Sequence, residues 1–394
     1  MTGGHHGRIG FAETGAPPAR TTRPFVGVRA LIVHEWLYTW AGAERCLEGI
    51  AELLPDADVI IGTITDEARS KFPIARRARE TWLSRIPGAR RYHRWFLPLQ
   101  AAAFGTIDTS GYDVVISLSH SMGKLVRPRR GAVHVCYCFS PPRYLWDLRE
   151  THDSQATLLQ RLALRTGGRL LRSLDRRGAS GVDRFISISH CVADRVRRAY
   201  GRDSDVVYPP VLAKPISGGA REGFLLSLGR LVPYKRVDLA IRAAESLGMK
   251  LVVAGDGPER KRLARIAGPN TEFVGAVSEE EAGRLLSSCA AFVFCGEEDF
   301  GITPLEANAH GAPVVAFARG AAVETLEEGR TGVFFAEQSP ASVADAIVRC
   351  LGRGWDFEVL RANAERFSPA RFREGMIAQI NAALASSNLI ANVS

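Results

Sequence analysis

No apolar run in this 394-residue chain reaches the roughly 20 residues that a bilayer crossing needs. The first 27 residues also lack the continuous apolar core of a secretory leader. Rich in Gly, Pro, Thr and Arg, residues 1–27 read as a disordered extension outside the fold. The seven cysteines, at 46, 136, 138, 191, 289, 295 and 350, are odd in number and include no C-x-x-C pair. That spacing argues against a disulfide framework and predicts buried, reduced thiols, as a reducing cytoplasm allows. A dinucleotide fingerprint is incomplete: Gly255 and Gly257 form G-x-G after a strand, but the third glycine is missing. The D-x-D strings at Asp56 and Asp58 and at Asp203 and Asp205 lie before or at strand starts. They read as solvated turns rather than metal ligands. Neither a short-period repeat nor a nucleic-acid module is present.

What is present is a full globular composition, 46% hydrophobic, and a recurring alternation of apolar strands with helical stretches. "ALIVHEW" (30–36), "DVIIGT" (58–63), "YDVVISLSH" (112–120), "AVHVCYCF" (132–139), "DRFISIS" (183–189) and "DVVYPP" (205–210) form a first series. After a Pro/Gly/Ser linker at 212–222 the pattern restarts with "FLLSLG" (224–229), "MKLVVAG" (249–255), "TEFVGAV" (271–277), "AAFVFC" (290–295), "APVVAF" (312–317) and "TGVFF" (331–335). Such alternation predicts α/β architecture: two Rossmann-like, doubly wound domains, 28–211 and 223–365, facing across a cleft. Residues 366–394 are expected to form a terminal amphipathic helix that packs back on the first domain.

Charge is lopsided. Residues 1–210 carry 31 Lys+Arg against 20 Asp+Glu, a net of +11, whereas the remainder nets −2. Within 69–94 nine basic residues stand against one acid, with Trp82 inside the stretch and Trp95 and Phe96 directly after it. A solvated loop and a docking face for an anionic membrane both fit this pattern.

The chemistry concentrates where the two sheets should meet. Arg230 ends one strand and Lys235 opens the following helix, so both cations reach the same rim and suit a phosphate; two ordinary surface bases would look alike. In "EEDFGITPLEANAHGAPVVA" (297–316), Thr303, Pro304 and Glu306 spell a T-x-x-E capping box, with Gly311 and Pro313 as the stop. Glu298 and Phe300-Gly301-Ile302 lie just before that helix, whose N-terminus favours an anion. Gly42 offers a tight turn after the first strand, and His120 ends "YDVVISLSH" on the opposing lip.

These stretches together resemble a family. Glu298 and Glu306 form the E-x7-E signature of retaining glycosyltransferases of GT-B fold, family 4. "GRLVPYKRVDLAI" is similar to that family's phosphate segment, "VGAVSEEEAGRLLSSCAAFVF" to its nucleotide-base run, and "WLYTWAGAER" to its N-terminal glycine loop. The likeness spans about 28–385. "YDVVISLSHSMGKLV" and "YCFSPPRYLWDL" resemble the GDP-mannose-dependent α-mannosyltransferases of glycolipid and polysaccharide assembly. Three departures stand out: Ala41 and Ala321 replace expected glycines, and "SISH" (187–190) replaces a commoner A-N-S.

The resemblance implies that Arg230 and Lys235 hold the diphosphate, that Glu298 and His120 contact the donor sugar, and that Gly42, Phe300, Gly301, Ile302 and Thr303 line the sugar and phosphate. It further implies that Val274 faces the base, that Glu306 binds the ribose, and that no metal or other cofactor is needed. It implies a lipid-linked or saccharide acceptor and a cytoplasmic, peripheral location. A UDP-sugar transferase acting on a soluble small molecule, a silent nucleotide-sugar binder and an NAD oxidoreductase are the alternatives.

Overall fold

The computed structural model describes residues 24–38, 41–90, 96–146, 158–212 and 221–386. The first domain is a seven-stranded sheet: β1 Ala30–Leu37, β2 Asp58–Ile64, β3 Arg79–Glu80, β4 Val114–Ser119, β5 Val133–Cys138, β6 Arg184–Ser187 and β7 Asp205–Val206. Their order is β3-β2-β1-β4-β5-β6-β7, and every pairing is parallel. The second domain has six parallel strands: β8 Leu225–Leu228, β9 Leu251–Ala254, β10 Thr271–Gly275, β11 Ala291–Phe294, β12 Val314–Phe317 and β13 Gly332–Phe335. They run in the order β10-β9-β8-β11-β12-β13. Both sheets therefore reverse direction of winding beside their first strand, between β1 and β4 and between β8 and β11. At such a switch point the loops splay apart and leave a crevice beyond the carboxyl ends.

Strands buried on both faces need near-continuous apolar sequence, and β4, β5, β9, β11 and β12 are buried at every position. The first domain's core extends beyond its own strands. Phe372, Met376, Ile380 and Leu384 of the terminal helix Pro369–Ser386 pack into it. Arg373 pairs with Glu52 at 3.2 Å and Arg184 bonds Gln379 at 2.7 Å.

Three expectations need correction. Phe25 is buried in the first core, so order begins before residue 28; residues 1–23 lie outside the described ones. Arg221 donates to the carbonyls of Cys289 and His310, so the second domain already holds the chain at 221; residues 213–220 are not described. The basic stretch contains β3, which the charge pattern hides, and Phe96 turns inward onto Leu83, Ala89 and Ala103 instead of projecting. Residues 91–95, including Arg91 and Trp95, lie outside the described residues.

Candidate active site

The second-domain half of the cleft is built at the β8/β11 switch point. After β8, Pro233–Lys235 make one 3-10 turn, and Arg236 follows at φ 49°, the one non-glycine positive φ among the described residues. The Arg236 guanidinium forks onto Asp238 at 3.1 and 3.2 Å, which helps hold that left-handed residue. The turn sets Lys235 Nζ 3.1 Å from Glu298 Oε1, in the loop after β11. That oxygen is buried and has no well-formed hydrogen bond among the described residues. Burial pulls the Lys235 ammonium down, but Glu298 outweighs it and the net shift is upward, so Lys235 stays charged. Gly296 permits the approach, since a Cβ there would sit 2.9 Å from the Lys235 Cα and the Tyr234 carbonyl. Arg230 is exposed on the same rim and enters no ion pair among the described residues.

The helix after Glu298 runs Ile302–Ala309. Its N-cap is Gly301 at φ 82°, not Thr303, so the expected T-x-x-E capping box does not form. A glycine able to turn left-handed starts the helix two residues earlier, which places Thr303 inside the first turn. Glu306 is accordingly free of capping duty and accepts from Arg45 Nη1 at 2.8 Å, across the cleft. The Glu298 loop is supported from behind: Ala321 N–H donates to the Glu298 carbonyl at 3.0 Å, so alanine keeps the backbone contact at that position. Val274, in the edge strand β10, is 37% exposed.

The first-domain half lies at the β1/β4 switch point. His120 follows β4, and its Nε2 is 3.4 Å from Glu35 Oε2. Glu35 is fully buried, and its other oxygen accepts from Ser119 Oγ, Ser121 N–H and Gly123 N–H at 2.7–2.8 Å. Gly42 opens the helix Gly42–Leu53, and a Cβ there would collide with Ile302 Cδ1 of the facing domain. Two residues read from separate motifs thus meet across the cleft.

Sequence reasoning missed the residues that hold the halves together. Asp299 pairs with both Arg143, at 3.6 Å, and Arg195, and its carbonyl accepts from Ser189 Oγ at 2.6 Å. Ser189 belongs to the "SISH" departure and caps the helix His190–Tyr200. Glu324 accepts from the His190 and Cys191 N–H groups at the start of that helix, at 2.8 and 3.1 Å, and from Tyr208 Oη at 3.2 Å. Phe300 is buried, stacked on Tyr208 with ring centroids 5.8 Å apart. Glu35 carried one signal: it is a carboxylate inside the apolar run "ALIVHEW".

Two family models match, one per domain. Residues 40–212 match Glycosyltransferase Family 4, and residues 216–366 match Glycosyl transferases group 1. A GDP-mannose-dependent alpha-(1-6)-phosphatidylinositol monomannoside mannosyltransferase of Mycobacterium tuberculosis is 28% identical over 214 residues, 46% of this chain and 55% of that protein. A GDP-mannose-dependent alpha-mannosyltransferase of Corynebacterium glutamicum is 30% identical over 163 residues, 39% of each chain. The match thus spans about half the length, or less, of these curated relatives. Among solved structures, HepE of Anabaena with UDP has a TM-score of 0.65 at 17% identity, covering 90% of this chain and all of that one. The outer-core galactosyltransferase WaaB has a TM-score of 0.63 at 14% identity, covering 91% and 99%. Two parallel Rossmann-like sheets, a cleft between their switch points and a matching model on each side give one conclusion: the chain belongs to the family 4 glycosyltransferases of GT-B fold.

Proposed function

We propose that the chain is a retaining glycosyltransferase that moves mannose from GDP-mannose to a lipid-linked or saccharide acceptor. The observation that carries this reading is the Lys235–Glu298 pair at the β8/β11 switch point, 3.1 Å apart, beside the start of the helix Ile302–Ala309. The choice of donor is supported by the GDP-mannose-dependent relatives, whose identity lies between 28% and 36% over partial lengths.

In this reading the anomeric carbon exchanges its bond to the diphosphate oxygen for a bond to an acceptor oxygen, with configuration kept and the hydroxyl proton released. Negative charge grows on the diphosphate as its bond breaks. Lys235, Arg230 and the N–H groups from Phe300 to Thr303 oppose that charge, the arrangement that contributes most where water is excluded. Three cationic or dipolar contributors make a divalent ion unnecessary for the leaving group. Glu298 has a buried oxygen with no acceptor duty beyond Lys235, and so can receive a sugar hydroxyl. Glu306 binds the ribose once Arg45 releases it, Val274 lies against the base, and Gly42 lets the first domain's backbone come close to the diphosphate.

The test is thermal unfolding and turnover with GDP, UDP and their sugars, in EDTA throughout. A nucleotide at 100-fold its Kd adds about 2.7 kcal/mol to stability. Stabilisation by GDP and mannosyl transfer in chelator are expected. Stabilisation by UDP alone would overturn the donor, and activity only after added Mg²⁺ or Mn²⁺ would overturn the metal-free mechanism.

A further inference from the structure

The buried Glu35 carboxylate and the part-exposed His120 ring form a pair whose proton placement is more constrained than its distance suggests. Glu35 Oε1 is fixed by two backbone donors, Ser121 N–H at 2.7 Å and Gly123 N–H at 2.8 Å, with Ser119 Oγ at 2.8 Å. Glu35 is ionised, so its other oxygen, Oε2, is also an acceptor; it is buried with no well-formed hydrogen bond among the described residues. The His120 nitrogen 3.4 Å away is Nε2. A proton on Nε2 gives that orphaned oxygen a favourable electrostatic contact, short of a well-formed hydrogen bond; a bare Nε2 would set two lone pairs against each other.

We propose that Glu35 is a positioning residue that holds the His120 proton on Nε2, leaving Nδ1 as the hydrogen-bond acceptor His120 offers to a hydroxyl of the donor sugar. The role toward the sugar rests on the glycosyltransferase reading above; the tautomer itself does not.

Surroundings support the assignment. The His120 ring is fixed edge-to-face by Trp36 at 4.3 Å and Phe139 at 5.7 Å, and its side chain keeps 27% exposure. The described residues form no hydrogen bond to the His120 ring, and with Nε2 turned to Glu35 Oε2 the second nitrogen, Nδ1, is the one available to a ligand. The remaining titratable neighbours are His34, ring centre 6.4 Å away, Glu44 beyond it at 3.9 Å, and Lys124, itself neutralised by Asp175. Burial lowers the His120 value more than Glu35 raises it, whereas Glu35 is held below the usual carboxylate range: burial pushes it up, and His120, the Gly123 N–H, Lys124 and Ser119 outweigh that. A neutral imidazole beside a carboxylate is the state in which tautomer identity matters.

Glu35→Gln inverts the tautomer without changing shape. The carboxamide oxygen must stay on the Ser121 and Gly123 N–H groups, so its NH2 faces His120 Nε2 and drives the ring proton to Nδ1. Nitrogen-15 NMR of labelled histidine, with His120→Ala to assign the signal, is expected to show a protonated Nε2 in the parent and a protonated Nδ1 in the variant. The same tautomer in both proteins overturns the proposal whatever the enzyme does. Where the reading of function also holds, Glu35→Gln weakens GDP-mannose binding by about tenfold, one hydrogen bond's worth, and leaves GDP binding unchanged. Equal weakening of both overturns the sugar contact. A second pair of variants avoids touching Glu35: His120→Asn keeps an acceptor near Nδ1 and is expected to bind GDP-mannose more tightly than His120→Gln, which mimics Nε2. No difference between them counts against Nδ1 as the contact.

Discussion

Lys235 and Arg230 occupy one rim but differ in what their loss leaves behind. Removing Lys235 strands the partly buried Glu298 carboxylate, whereas Arg230 is exposed and enters no ion pair among the described residues. Lys235→Ala is therefore expected to lower kcat by about 10²–10³ and to cost some stability. Arg230→Ala should lower kcat over a similar range with stability changed by less than about 0.5 kcal/mol. Steady-state kinetics beside thermal unfolding checks both, and unchanged turnover in both variants would return them to ordinary surface bases. A different residue gives the pH dependence of stability. His134 is buried, with Nε2 2.8 Å from Ser117 Oγ and Nδ1 3.1 Å from the Gly181 carbonyl, and burial depresses its pKa to about 4. Between that value and the unfolded value near 6.5 the unfolded chain binds more protons, so stability falls as pH drops through this window. The loss on reaching pH 4 is about 3 kcal/mol. His134→Asn retains a donor near Nδ1 and does not titrate; its stability against pH from 7 to 4.5 should be flatter than the parent's. Equal slopes would show that another group governs acid lability. At this scale Glu298, Lys235, Gly42 and Ile302 were legible because each sits in a motif with a local physical role. Glu35, Asp299 and Glu324 were not, because their partners lie 84 or more residues away in the chain, and spacing does not record that.

Strands were the most readable elements. The apolar runs located all but one of the thirteen, and the one missed, β3, is two residues long inside a charged stretch. A strand whose length supplies no alternation leaves no pattern to read. The runs also overshot: "DVVYPP" yields only Asp205–Val206 in the sheet, since prolines cannot extend a ladder. The helix after Glu298 was found but started in the wrong place, because Gly301 overrode the capping sequence. That two-residue shift has a consequence, for it gives Glu306 to Arg45. Arg45 also meets Glu279 at 3.2 Å, so one side chain of the helix Gly42–Leu53 ties two helices of the facing domain. Its pairing with Glu306 is half-buried, at 14% and 19% side-chain exposure, and is worth on the order of 1 kcal/mol. Arg45→Met is expected to shift the two-domain equilibrium toward open forms by about fivefold. Small-angle scattering should show a larger radius of gyration without GDP-mannose and recovery when it is added. An unchanged radius would mean that Asp299, Glu324 and Phe300 hold the cleft closed by themselves.

For the whole molecule the decisive feature is where the charge goes. The net +11 of residues 1–210 faces a second half of −2, yet much of the basic stretch is already engaged. Arg69 and Arg90 both pair with Glu80 at 2.9 Å, Lys71 pairs with Glu67, and Arg79 with Asp58. Among the described residues Arg76 and Arg77 bond only to the carbonyls of Ser70 and Pro55 and meet no carboxylate, and Arg85 is exposed in the same turn as Trp82, itself 38% exposed. No helix among the described residues is long and apolar enough to cross a membrane. For the lipid-linked acceptor proposed above, Arg76, Arg77, Arg85 and Trp82, all exposed, are the residues of 69–90 we propose as the docking face. Each basic residue near an anionic surface contributes about 1 kcal/mol, screened over about 8–10 Å at physiological salt. Co-sedimentation with phosphatidylglycerol vesicles at low salt is expected to bind the parent protein and to lose it as salt rises. Changing Arg76, Arg77 and Arg85 together to Gln removes about 3 kcal/mol of that attraction, roughly a hundredfold in partitioning, while leaving the Glu80 pairs intact. Transfer to a water-soluble acceptor should survive the triple change, because those residues lie outside the cleft. Equal vesicle binding by parent and variant would remove 69–96 as the docking face, and equal rates on lipid-linked and water-soluble acceptors would remove the need for one.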